Sequence, residues 1–237
     1  MRRRPWGPAA LWALGCSLLF VGVYAGCNGL AAGRSELGTI QFGWERRLPF
    51  VAWTILPYWS IDGFFVASFF FCRDRAGLRR LGGRIAAAIL AGGVCFLLFP
   101  LQSGWPRSSV EEFWRPFYTA LWALDRPYNQ VPSLHIALLA ILAEHYARVS
   151  KGILRAILLG WFLLVGLSTL LTGQHHVLDA AGGLVLGLVC LHLVGSSSPP
   201  PTSRNPRIGV YYLLGSLTGL ALSTLGNPFG LLLLWPA

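Results

Sequence analysis

Two short stretches hold the residues whose types and spacing could do chemistry. The first is Asn129-Gln130-Val131-Pro132-Ser133-Leu134-His135; the second is Thr172-Gly173-Gln174-His175-His176-Val177-Leu178-Asp179. His175 and Asp179 are four apart and share one face of a helix. A carboxylate that fixes the tautomer of an imidazole and steadies its developing charge makes that imidazole a nucleophile. His135 can then protonate a leaving oxygen. Ser133 and Pro132 are residues that open helices, so His135 is expected in a first turn. Helix N-termini present N–H groups and a positive dipole end to an anion, and arginines grip phosphate in a bidentate fashion. The pattern points to phosphoryl transfer. His175 and Asp179 with His135 are the catalytic candidates. Arg126, Arg107, Ser133, Asn129 and His176 are the substrate-binding candidates.

Competing readings have to be weighed. A lone histidine near the end of an apolar segment is more often an anchor, and His145 and His192 take that reading. The two motifs together, forty residues apart at His135 and His175, make it a poor reading for His135. His175 and His176 lack a third ligand at metal-binding spacing, so neither a metal nor another cofactor is expected. Asp62 is either a structural partner or functional. Glu144 is expected to pair with a cytoplasmic arginine. Five scattered cysteines with no CxxC give no disulfide framework.

The elements that must position these residues are membrane helices. Charged residues make up 12% of the chain and apolar ones 54%, with a mean hydropathy of +0.57; soluble domains carry about 25% charged residues. Apolar segments recur at 9–27, 49–71, 85–101, 131–147, 153–171 and 176–194, with further apolar sequence at 208–237. In lipid these must be helices, because every backbone polar group needs an internal partner. Residues 110–124 read as an amphipathic helix at the interface. With the N-terminus in the cytoplasm, Arg73 to Arg84 and Arg148 to Arg155 fall inside. Both histidine motifs then reach the outer face, as the positive-inside rule requires. The net charge of +10 is spread over these loops and forms no solvated basic face, which excludes nucleic acid as a partner.

At these motifs the sequence resembles the type 2 phosphatidic acid phosphatase (PAP2) superfamily. The resemblance rests on Pro132-Ser133-Leu134-His135 and on His175-His176-Val177-Leu178-Asp179, and covers about residues 62–194. Asp125-Arg126-Pro127 leading into the first motif looks most like the branch related to inositol phosphorylceramide synthases, and like bacterial members fused to a dual-specificity phosphatase domain. The resemblance implies an all-α, polytopic membrane bundle with a six-helix core over 1–207 and one or two extra spans over 208–237. It implies His175 as the nucleophile forming a phosphohistidine, Asp179 orienting it, and His135 as the general acid. The expected activity is hydrolysis of a lipid phosphomonoester or diphosphate at the exoplasmic face of a bacterial inner membrane. Transfer to an alcohol, or a catalytically degenerate scaffold, are the alternatives. The pattern departs from the family at Thr169, where an arginine usually follows the serine, and at Gly173, where the branch often has a cation. Arg126→Ala is expected to abolish turnover.

Overall fold

A computed structural model describes residues 4–34 and 37–194. Among the described residues there are seven helices and no strand: α1 (Trp6–Ala32), α2 (Ile55–Phe71), α3 (Arg75–Leu98), α4 (Arg115–Leu124), α5 (Leu134–Val149), α6 (Gly152–Leu171) and α7 (Val177–Leu193). Among the described residues, four stretches are long and apolar enough to cross a membrane: Trp6–Ala32, Ala52–Phe71, Arg75–Leu98 and Gly152–Leu171. The protein is an all-helical membrane bundle. The apolar stretch 208–237 lies outside the described residues.

The short helix α5 is the inner one, whereas α7 packs on α5 and α3 and leaves Leu184, Leu188 and Leu193 exposed. α5 buries half of its 16 residues, including Ile141 and Leu142, and packs on α2, α3, α6 and α7. Lipid-facing side chains gather instead on α1 and α6, where Leu11, Leu18, Leu163 and Ile157 are exposed. An exposed apolar surface of that extent requires a bilayer rather than water. α5 and α7 approach each other closely through glycine. A Cβ on Gly183 would lie 2.3 Å from the Ser133 carbonyl oxygen, and one on Gly187 would lie 2.7 Å from that of Ala137. Small residues at such contacts let helix backbones meet in a membrane.

Several element boundaries differ from the sequence expectation, and three of them have a clear local reason. α3 starts ten residues before 85, because Asp74 caps it, its side chain accepting the Gly77 N–H at 2.7 Å. The arginines from 75 to 84 therefore ride on helix, not loop. α2 starts at Ile55, after two short 3₁₀ turns, Gly43–Arg47 and Ala52–Thr54, have absorbed the chain around Pro49. α4 is shorter than 110–124, with Pro116 in its first turn, a position where the ring's fixed φ suits a helix start. It lies against the beginning of α2 through Tyr118, Leu121, Ile55 and Tyr58.

Helix direction separates the two ends of the bundle. The α2–α3 and α5–α6 connections share one end with Arg75, Arg79, Arg148, Lys151 and Arg155. There Arg84 is buried, 3.3 Å from Glu144, and donates to the carbonyls of Leu191 and Val194. Arg148 also pairs with Glu144. The starts of α5 and α7 lie at the opposite end.

Candidate active site

The start of α5 carries His135. Ser133 is the helix cap, its hydroxyl accepting the Ile136 N–H at 3.3 Å, so His135 falls in the first turn. The start of α7 carries Asp179, and the turn before it carries His175. These two helix starts are joined directly: the Ser133 N–H donates to the Asp179 carbonyl at 2.9 Å. Ser133 is fully buried; its N–H makes this junction while its hydroxyl and carbonyl accept from Ile136 and Ala137 of its own helix. The result is a compact constellation. Asp179, wholly buried, places Oδ2 3.1 Å from His175 Nδ1, and the His135 and His175 rings are 6.4 Å apart. The His135 ring also stacks on Tyr58 at 4.3 Å.

The turn holding His175 is shaped by backbone needs. Gly173 has φ +66°, a left-handed value that glycine adopts freely, and it ends α6. The chain then doubles back so that the N–H groups of Gln174 and His175 both reach the Thr169 carbonyl, at 3.2 and 3.0 Å. With Nδ1 committed to Asp179, the Nε2 of His175 is the nitrogen left for chemistry. Burial disfavours a charged imidazole here. The Asp179 carboxylate, and Asp125 at longer range, outweigh it and lift the His175 pKa above its ordinary value.

His176 is placed quite differently. It is fully buried, its ring stacked on Trp105 at 5.4 Å. Its Nε2 accepts the Gly104 N–H at 3.0 Å and its Nδ1 lies 3.3 Å from Glu45. Glu45 has no warning in the sequence beyond being an acid beside two arginines. It is completely buried and accepts the Phe42 N–H at 2.7 Å and the Val177 N–H at 2.6 Å, the latter from the first residue of α7. Its carboxyl pKa is lowered: burial opposes ionisation, but His176 and the two backbone donors overcome it. A fixed anion thus occupies one of the free amides at the start of α7. Trp105 completes the brace by donating from Nε1 to the His175 carbonyl at 3.2 Å.

Around His175 opens a cavity of about 480 Å³. Arg107 and Arg126 line it, as does Arg46, and all three are exposed to water. The Arg107 guanidinium lies 5.3 Å above the Trp122 ring. Asn129 is buried with φ +57° and donates from Nδ2 to the Tyr24 carbonyl at 2.9 Å, so it ties the loop to α1. Asp125 also lines the cavity, with Oδ1 accepting the Tyr24 hydroxyl at 2.5 Å. Asp62 is exposed on α2. Among the described residues no group of three or more His, Cys, Asp or Glu side chains has the placement to hold a metal ion. The arrangement suits attack by an imidazole on a phosphorus atom bound at the cavity mouth.

The PAP2 superfamily model matches residues 59–193, more than half of the chain, from within α2 to the last residue of α7. His135, His175 and Asp179 all fall inside that span, whereas Tyr24 and Glu45 precede it. No curated protein and no solved structure matches the chain.

Proposed function

Because the chain belongs to the PAP2 superfamily, a family of phosphatase-type enzymes, we propose that it is an integral membrane lipid phosphate phosphatase acting through a phosphohistidine. His175 attacks phosphorus through Nε2. Asp179 holds the opposite nitrogen and stabilises the positive charge that develops on the ring. His135 gives a proton to the leaving oxygen and takes one back from the water that resolves the intermediate. Arg46, Arg107 and Arg126 draw the phosphate to the cavity mouth. Ser133 serves by locking the α5 start to α7. Asn129 and His176 position the loops that carry the binding groups.

The observation that supports this most is the convergence of His135 and the His175–Asp179 pair, 6.4 Å between rings and 3.1 Å between pair atoms. A lipid substrate fits a cavity that opens beside the amphipathic α4, whose Leu124 and the preceding Phe113 stand out from the protein at 79% and 72% exposure. The end of the bundle bearing the site is opposite the arginine-rich end, so by the positive-inside rule the reaction takes place at the exoplasmic face. The test is a phosphate-release screen over lipid phosphates in detergent micelles, wild type against His175→Ala. Release by the wild type and none by the variant supports the reading. Equal release by both overturns it.

A further inference from the structure

Two adjacent histidines face two separate carboxylates. His175 lines the cavity, with Nδ1 on Asp179. His176 turns the other way and is fully buried, with Nδ1 3.3 Å from Glu45 Oε2 and Nε2 receiving the Gly104 N–H at 3.0 Å. The second contact fixes the tautomer. A ring nitrogen that accepts from Gly104 carries no hydrogen, so the ring proton sits on Nδ1, against the carboxylate. Glu45 is thereby the group that keeps His176 an acceptor toward Gly104.

The backbone around this pair carries every arginine of the cavity. Arg46 follows Glu45 in the 3₁₀ turn Gly43–Arg47, which Glu45 fastens to α7 through the Val177 N–H. Arg107 lies three residues past Gly104, on a loop whose Trp105 stacks on His176 and donates to the His175 carbonyl. Arg126 adjoins Pro127, whose carbonyl accepts the N–H of Ser103 at 2.8 Å, one residue before Gly104. Gly104 is itself closely held: a Cβ there would lie 2.7 Å from Thr39 Oγ1 and 3.0 Å from the Gln41 side chain. Among the described residues none of the three arginines joins a carboxylate by an ion pair. They are exposed, so the backbone that carries them decides where they aim. The turn that holds His175 supplies no cation of its own, with Thr169, Thr172, Gly173 and Gln174 around it.

We propose that Glu45 and His176 are a positioning pair, which sets the spacing between His175 and the three arginines that hold the substrate's phosphate. The inference rests on the proposed function for the role of those arginines. Both side chains of the pair are wholly buried and neither lines the cavity, so they act through the loops they fasten. Glu45 and Arg46 precede residues 59–193, so part of this phosphate site is built from outside the stretch that matches the family. A displacement of about 1 Å at a reacting centre can cost about a hundredfold, so a loosened junction is read first in phosphate binding.

The experiment follows the Tm of the full chain in detergent as inorganic phosphate is added, and takes the Kd for phosphate from the rise. Initial rates on a short-chain phosphatidic acid give KM and kcat for the same proteins. In Glu45→Gln the amide sets a donor against either the Phe42 and His176 donors or that of Val177. His176→Phe keeps a ring against Trp105 but leaves the Gly104 N–H without its acceptor. Each is expected to raise Kd and KM about tenfold, with a smaller fall in kcat. The double variant is expected to stay near the single ones, because both break one junction. Glu144→Gln, beside the buried Arg84 at the far end of the bundle, is expected to lower Tm and leave Kd unchanged. Glu45→Gln is the milder change and decides alone where His176→Phe does not fold. An unchanged Kd with a fall in kcat only marks a structural role and overturns the inference. So does a Kd raised equally by Glu144→Gln, a double variant weakened by the product of the single effects, or a wild type whose Tm phosphate does not raise. Phosphate release abolished by His175→Ala, with Kd the same in every variant, rejects the inference alone. The expected Kd changes without release from any lipid phosphate reject the phosphohistidine reading alone.

Discussion

Asp179→Asn removes one charge and almost nothing else. The side chain keeps its volume in a fully buried site, and the Ser133 hydrogen bond goes to the backbone carbonyl, which the substitution leaves in place. What is lost is the attraction between the carboxylate and an imidazole 3.1 Å away that, in the proposed mechanism, becomes positive as it is phosphorylated. With an effective dielectric of about 20, Coulomb's law gives about 5 kcal/mol at that distance, or close to four powers of ten in rate. The sign of the pH effect follows from the same pair. In the proposed mechanism His175 attacks only when neutral, so kcat/KM falls as pH drops through its pKa. That pKa stands above the ordinary 6.5 because the carboxylates outweigh burial. Asp179→Asn removes the largest of the raising influences, so the acidic limb of the profile moves to lower pH while its plateau falls. The assay is initial-rate phosphate release across pH, with thermal unfolding to show that the variant is folded. A folded variant within tenfold of the wild type, with an unmoved acidic limb, would refute the reasoning.

Other substitutions probe the framework. Gly183→Val puts two methyl groups where a single Cβ already meets the Ser133 carbonyl at 2.3 Å; overpacking of this kind costs about 1–3 kcal/mol or more, and a lowered Tm with lost activity is expected. Glu45→Ala strips the acceptor from the Phe42 and Val177 N–H groups; at about 1–3 kcal/mol per buried donor left unsatisfied, thermal stability should fall measurably, and Glu45→Gln, which restores one acceptor, should recover part of it. Arg126→Ala should bring turnover at low substrate below detection, whereas Arg107→Ala should raise KM by less than about tenfold, because the Arg107 guanidinium is already engaged with Trp122. Steady-state kinetics on both arginine variants distinguishes these outcomes.

The parts of this protein legible in its sequence are those set by short-range chemistry. Ser133 before His135 announces a helix start, and the four-residue step from His175 to Asp179 fixes a shared face whatever the tertiary structure does. Glu144 near the end of an apolar helix needed a cation and has Arg84 and Arg148. What was hidden depends on contacts between distant stretches. Glu45 meets Val177 across 132 positions, and in sequence it is only an acid in a basic loop. Tyr24 lies near the end of an apolar run that reads as a plain span, yet its hydroxyl orients Asp125 and its carbonyl receives Asn129. His176 stands next to the proposed nucleophile in sequence, but the turn after Gly173 sends its ring to Trp105 and Glu45 instead. The Arg75 to Arg84 run reads as a loop because charge dominates the hydropathy, although arginine is a good helix former and Asp74 supplies the cap.

The most direct test of the account is to look for phosphorus on the nucleophile. Purified enzyme is mixed with a radiolabelled lipid phosphate, quenched in alkali within the first turnover, and its peptides are mapped by mass spectrometry. The account predicts an acid-labile, alkali-stable adduct on His175 that is absent from His175→Ala. Normal turnover with no such adduct, or an adduct on His135 in its place, would contradict it.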